Sequence, residues 1–155
     1  MTEVRTFLVV VDNSEEMRAA LRYACRRARA TGGKVALLHV AEPAEFQHFA
    51  AIGDLMRQEA RQEAEEILQR LASEVHNCSG QFPVLHMREG KRDEELFKLV
   101  EEFPDITILV LAAGTGNEGP GPIISKLTSK KGAHLRIPFT VVPGNLSDEE
   151  IDRLT

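Results

Sequence analysis

Tryptophan is absent from this 155-residue chain, tyrosine occurs once, and aromatic residues make up only 5% of it. Stacking platforms for nucleic-acid bases are built from such rings, so they are poorly supplied here. Positive charge is also short, with 19 Lys and Arg against 24 Asp and Glu, a net charge of −5. Nucleic-acid binding needs basic surface to displace counterions, and no nucleic-acid partner is expected. Only two cysteines occur, Cys25 and Cys78, far apart in the sequence and in no CxxC pair. They are expected as two reduced thiols on helices, with no metal-thiolate site or redox motif. No window approaches the ~18 uncharged apolar residues of a membrane span. The N-terminus carries neither the basic stretch nor the apolar run of a signal peptide. No membrane partner and a cytoplasmic location are therefore expected.

Several motifs of chemistry are missing as well. There is no G-x-x-x-x-G-K-[ST], and no G-x-G-x-x-G follows the first apolar run, where a dinucleotide fold needs it. The stretch Gly114-Thr115-Gly116-Asn117-Glu118-Gly119 has that pattern, but it lies late in the chain and no acidic ribose ligand is evident downstream. No G-x-S-x-G elbow presents a serine nucleophile. The histidines, His39, His48, His76, His86 and His134, show no helical pair at metal-ligand spacing. No catalytic residue and no metal site are expected.

What is present is one domain's worth of patterned sequence. Hydrophobic residues are 43% and charged residues 28%, as in ordinary globular domains. Phe7 to Val11, Val35 to Val40 and Ile106 to Ala113 are short apolar runs, the mark of strands buried on both faces. Pro83 to Met87, with Val84, Leu85 and Met87, and Pro138 to Val142 complete five strands. Between them lie helical patterns. Met17, Leu21, Ala24 and Ala28 recur at helical spacing, with Arg18, Arg22, Arg26 and Arg29 on other faces, and Gly32-Gly33 ends that helix. Asp12, Asn13 or Ser14 can cap its start, and Asn13 with Glu16 has capping-box spacing. A long helix is expected from about Ile52 to Val75, with Leu55, Ala60, Ala64, Ile67, Leu68, Leu71 and Val75 as its core stripe, before a turn at Asn77 to Gly80. A third helix spans Asp93 to Phe103, with Leu96, Phe97, Val100 and Phe103 inward. A fourth spans about Ile123 to Leu135. Ser147 with Glu150 makes a capping box for a helical tail over 145–155.

The β-α alternation implies an α/β fold, an open five-stranded parallel sheet with helices on both faces, as one domain over 1–155. Ligands of such sheets bind beyond the carboxyl ends of the strands, where the strand order reverses. The loops to watch are therefore Asp12-Asn13-Ser14, Ala41 to Ala50, Glu89-Gly90-Lys91 and Ala113 to Pro122. The last holds four glycines, which let backbone approach a ligand closely, and its N–H groups can cradle phosphate. Pro120 and Pro122 lack donors and Glu118 adds negative charge, which count against a tight cradle. Asp12 either caps the following turn or points into the crevice as a ligand group. A response-regulator receiver has a similar element order but needs clustered acids after the first strand and a lysine after the fifth, where Pro143-Gly144 stands.

The same segments resemble the universal stress protein family. Leu8-Val9-Val10-Val11-Asp12-Asn13-Ser14 resembles the family's first strand and V-D-x-S turn. Gly33 to Val40 resembles its second strand with an L-H-V ending, and Ile137 to Pro143 its closing strand. The resemblance implies a homodimer joined near the last strand and, in some members, bound ATP. In those members the Asp of V-D-x-S and the Val of L-H-V meet the adenine end, which gives Asp12 and Val40 here. A G-x-x-G-x9-G-[ST] stretch holds phosphates and ribose. Gly116 and Gly119 match its paired glycines, but nine residues on stands Ser129-Lys130, where Gly-Ser or Gly-Thr is expected.

The expected function is a regulatory protein that binds an adenine nucleotide, ATP or AMP. Asp12 is expected on the adenine or ribose side, Val11 and Val40 flank the base, the loop with Gly114, Gly116 and Gly119 meets the phosphates, Ser129 can offer a hydroxyl, and Asn13 and Ser14 are counted with the binding residues. Lys126, Lys130 and Lys131 add positive charge nearby or form a solvated helix end. The alternative is a nucleotide-free interaction module that acts by dimerising and contacting a protein partner. Slow ATP hydrolysis is the most enzymatic of the readings and lacks an evident general base.

Overall fold

The computed structural model describes residues 4–12, 14–42, 50–116, 119–129 and 135–155. The strands are β1 (Thr6–Val11), β2 (Lys34–Ala41), β3 (Val84–Glu89), β4 (Ile106–Ala113) and β5 (Phe139–Pro143). The helices are α1 (Met17–Thr31), α2 (Ala50–Ser79), α3 (Arg92–Glu102), α4 (Pro122–Leu127) and α5 (Asp148–Leu154). The five strands form one sheet in the order β3-β2-β1-β4-β5. Every pairing is parallel.

Burial on both faces follows from the alternation of side chains along a strand. Phe7, Val9 and Val11 of β1, with Val35 and Leu37 of β2, pack under α1, α2 and α5. Leu8, Val10, Ala36, Leu38 and Val40 point the other way, against Leu96, Leu99 and Val100 of α3 and Ile124 and Leu127 of α4. The alternation in β4 is reset by one residue. Thr6 pairs with Ile106 but Phe7 pairs with Ile108, so Thr107 is an extra residue, as in a β-bulge. Its hydroxyl accepts from the Thr6 N–H at 3.1 Å and donates to the Thr6 carbonyl at 3.3 Å. Ile106 and Ile108 consequently face opposite cores.

Helix ends follow local chemistry. Gly32 takes φ +70 and stops α1, with the carbonyls of Ala28 and Arg29 capped by the N–H groups that follow, as glycine C-caps do. The expected capping box of α5 is present, with Ser147 Oγ accepting from the Glu150 N–H at 3.2 Å. This tail lies on α1. Ile151 is fully buried in the α1–α2 core. Arg22 grips Asp152 with two bonds, at 2.9 and 2.8 Å, Arg18 pairs with Asp148, and Arg26 donates to Thr155 Oγ1 at 3.1 Å. The arginines of α1 thus hold the tail instead of facing only water.

Several expectations need correction. The N-cap of α1 is Glu16, with no side-chain cap, whereas Asp12 and Ser14 stand before it and bond to each other; Asn13 lies outside the described residues. Asn77 to Ser79 belong to α2, and the turn begins at Gly80 with φ +86. Leu55 of α2 is exposed, as are Val84 and Met87 of β3 and Phe103 beyond α3. β3 is an edge strand, so its apolar residues lack the double cover that a central strand has. Leu99, one turn from Glu95, is fully buried where Phe103 was expected. α4 ends at Leu127, short of the expected Leu135, with residues 130–134 outside the description. The loop 43–49 lies outside it as well.

Candidate functional site

In the order β3-β2-β1-β4-β5, the connections run to opposite sides from the central pair β1 and β4. A crevice at their carboxyl ends is the geometric consequence. Its β1 wall is made by Val10, Asp12, Ser14 and, from the start of α1, Glu16 and Met17. Its β4 wall is made by Val110 to Ala112 and by the returning segment Pro120 to Ile124. Arg92, the first residue of α3, closes one side. The crevice, open to solvent at its mouth, has a volume of about 80 Å³.

The β1 wall is fixed by an Asx-type turn. Asp12 Oδ1 accepts the Ser14 N–H at 2.9 Å and also the Ser14 hydroxyl. Both readings of Asp12 therefore hold at different atoms. One carboxylate oxygen shapes the turn, and the other makes no hydrogen bond among the described residues while the side chain lines the crevice. Glu16 lies across the crevice mouth against two glycines. A Cβ on Gly144 would stand 2.4 Å from Glu16 Cβ and 2.4 Å from the Ala113 carbonyl oxygen, and one on Gly114 would stand 3.4 Å from Glu16 Oε1. Only glycine lets the β5–α5 turn approach β4 and α1 this closely.

The β4 wall closes on itself. The Gly114 N–H donates to the Pro120 carbonyl at 3.0 Å, so that donor is not directed at a ligand. Gly119 and Gly121 take φ +88 and +117, which turn the chain back to α4. Lys126 pairs with Asp93 across α4 and α3, and its hydrogen bond holds the Asp93 carboxyl below its ordinary range. Arg92 is different. Its Nε is buried and has no hydrogen-bond partner among the described residues, although a buried guanidinium donor left unmade is costly.

Of the residues expected at the site, Asp12 and Ser14 line the crevice directly. Val11 and Val40 are buried at the ends of β1 and β2, in the two opposite cores. Gly114 is half-buried, and Gly116 and Gly119 are exposed in the loop. Ser129 is exposed beyond α4, and its hydroxyl donates to the Lys126 carbonyl. It does not line the cavity. Sequence reasoning missed Glu16, Arg92, Ile123 and Ile124, whereas Pro120 to Pro122 fall within the loop it marked after the fourth strand. Arg92 follows Glu89-Gly90-Lys91, a loop already marked by its position after a strand, and its charge next to those residues is the signal that was there. Among the described residues, no group of three or more His, Cys, Asp and Glu is placed to hold a metal ion. None of the described helices is long and apolar enough to cross a membrane.

Comparison with known proteins now bears on this geometry. The sequence pattern of the Universal stress protein family matches residues 3–143. The chain belongs to the universal stress protein family. A search among curated proteins gives no match. Among solved structures, universal stress protein UspA from Lactobacillus plantarum superposes with a TM-score of 0.76 at 18% identity, over 92% of this chain and 99% of that one. A universal stress protein from Archaeoglobus fulgidus in complex with dAMP gives 0.63 at 19% identity, over 91% of this chain and 99% of that one. A universal stress protein in complex with cAMP gives 0.56 at 13% identity, over 93% of this chain and all of that one, 100%. At these identities the likeness establishes the shared fold, an α/β sheet of five parallel strands.

Proposed function

We propose that this universal stress protein is a regulatory module that binds an adenine nucleotide, ATP or AMP, at the β1–β4 crevice. The observation that carries the reading is Arg92. Arg92 lines the cavity beside Asp12, its Nε has no hydrogen-bond partner among the described residues, and a guanidinium is the side chain that pairs best with a phosphate. The cavity of about 80 Å³ is far below the roughly 300–1,000 Å³ that encloses a drug-sized ligand. A phosphate group enters it, and the nucleoside lies along the open mouth toward the ends of β1 and β2. The remaining Asp12 oxygen accepts from the ribose or the adenine. Two family members of the same fold are complexed with dAMP and with cAMP, which supports the ligand class. Asp12 and Val40 are the positions where the family resemblance puts the base.

The test is to purify the protein without added nucleotide, denature it, and identify released small molecules by chromatography and mass spectrometry. Stoichiometric ATP, ADP or AMP is expected. An empty extract, together with no saturable ATP binding at millimolar concentration by calorimetry, overturns the reading.

A second reading has its own support. The Gly114 donor is occupied by Pro120, and the Ser129 hydroxyl is turned to the Lys126 carbonyl. Both favour a nucleotide-free module that acts through dimerisation and a protein partner. In either case we propose a homodimer formed along β5, an edge strand with Val141 exposed, in the cytoplasm. Light scattering of the wild type against Val141→Lys tests the dimer, with a monomer expected only for the variant. Cell fractionation tests the location.

A further inference from the structure

The two cysteines, separated in sequence, pack on one core cluster where α1 lies on α2. Cys25, on the inner face of α1, is buried in the core, and Cys78, in the last turn of α2, packs half-buried against the same cluster. Both thiols line one groove of about 510 Å³ on the surface of the molecule, away from the crevice. Four arginines of α1, Arg18, Arg22, Arg26 and Arg29, line it too, with Glu74 and Asp148 as its only carboxylates among the described residues. Arg29 donates to the Cys78 carbonyl at 3.3 Å. It thereby covers one of the acceptors that a helix C-terminus leaves open. Burial, and then the neighbouring Cys78 thiol, push the Cys25 thiol up, so Cys25 stays protonated at rest. The Arg22 charge opposes that rise at Cys25.

We propose that Cys25 and Cys78 are a dithiol site that is oxidised to an intramolecular disulfide by a small anionic disulfide of the glutathione class. The division of labour follows from exposure. Cys78 is the reachable sulfur, and its thiolate attacks one sulfur of the small disulfide. The S–S bond of that disulfide breaks, one small thiolate leaves, and a mixed disulfide forms on Cys78. Cys25 gives its proton to solvent as its sulfur attacks the Cys78 sulfur, and the second small thiol leaves. Two protein thiols are oxidised and one small disulfide is reduced to two thiols. Arg18, Arg22 and Arg26 are engaged by Asp148, Asp152 and Thr155 of the tail, so Arg29, bonded to the Cys78 carbonyl and to no carboxylate among the described residues, receives a carboxylate of the reagent, which a neutral disulfide lacks. Thiols of this kind stay reduced in a reducing compartment and respond to a change in its poise. The site stands independently of nucleotide binding.

Intact-mass measurement of the whole protein, before and after incubation with glutathione disulfide, followed by alkylation under denaturing conditions, tests this. The expected product is a monomer lighter by two hydrogens with neither cysteine alkylated. Two alkylated cysteines, or a disulfide between two chains, overturn the proposal. Cys25→Ser is expected to stop at one glutathionyl adduct, and Cys78→Ser to give neither adduct nor disulfide. An adduct on Cys25 in the latter overturns the assigned order. The variant Arg29→Gln is expected to slow glutathione disulfide by roughly threefold relative to bis(2-hydroxyethyl) disulfide. An unchanged ratio overturns the anionic substrate class.

Discussion

The two walls of the crevice are built by opposite means. On the β1 side a short turn is locked by one carboxylate, with Asp12 holding both the N–H and the hydroxyl of Ser14. On the β4 side a loop of glycines and prolines is held by backbone contacts, Gly114 to Pro120 and Gly144 to Ala113. The first wall places a chemical group, and the second places empty volume. A site of this kind is sensitive to polar deletions on one side and to added methyl groups on the other.

The largest effect is expected at Gly144. A methyl group there meets the Ala113 carbonyl and the Glu16 side chain at 2.4 Å, so Gly144→Ala should cost about 1–3 kcal/mol of stability. Urea unfolding measures it, and an unchanged midpoint would show that the walls are looser than their contacts imply. Asp12→Ala should weaken nucleotide binding by about 1–3 kcal/mol, while Asp12→Asn keeps an acceptor for the Ser14 N–H and separates turn from ligand. Equal calorimetric affinity for wild type and Asp12→Ala would remove Asp12 from the site. Gly119 has open space around it but φ +88, so Gly119→Ala should cost about 1–2 kcal/mol through backbone strain alone. Gly116 has neither strain nor neighbours, and Gly116→Ala should leave the thermal midpoint unmoved. Together these three glycines distinguish close approach, conformation and mere solvent exposure within a single wall.

Arg92 gives a test of opposite signs. Arg92→Met removes a buried donor without a partner among the described residues, and should raise the stability of the ligand-free protein by about 1 kcal/mol while weakening nucleotide binding. Losses in both quantities would make Arg92 a structural residue. The smallest effect belongs to the tie between Asp93 and Lys126. Its Asp93 carboxyl titrates below the ordinary value because of the Lys126 hydrogen bond. The folded pKa is depressed, so the contribution is present above the unfolded carboxylate pKa and is lost as pH falls through the folded one. Lys126 has 39% of its side chain exposed, enough for solvent to screen the pair, and such pairs contribute less than about 1 kcal/mol. The gap in thermal midpoint between wild type and Asp93→Asn should be small at neutral pH and vanish in acid.

The interior strands were legible because double burial writes itself as an apolar run. Phe7 to Val11 and Ile106 to Ala113 needed no tertiary information. β3 was found but its outward residues were not, since Val84 and Met87 look no different from core until the sheet edge is known. The bulge at Thr107 left no local mark, because its warrant is a hydroxyl meeting the backbone of Thr6 in another strand. At the site, Asp12 and Ser14 were readable from the end of β1 and from the family turn. Glu16 and Arg92 were not, because they reach the crevice from the first turns of two helices that lie apart in sequence. Cys25 and Cys78 were invisible as a pair for the same reason, as their encounter belongs to α1–α2 packing. The place of Ser129, by contrast, was set by counting residues along a motif, and α4 is too short to carry that count into the cavity.

The strand order gives the molecule a seam. β1, β2 and β3 with α1 and α2 are assembled from consecutive chain, whereas β1 meets β4 only through the pairing of Thr6 with Ile106 and its neighbours. A chain emerging from its N-terminus completes the first part while one edge of β1 stays bare, since domains build up in the order of synthesis. The crevice does not exist until the late strands close that edge. A compound seated there holds both parts at once, acting as a stitch across the seam, and by mass action it shifts the last long-range step of folding toward completion.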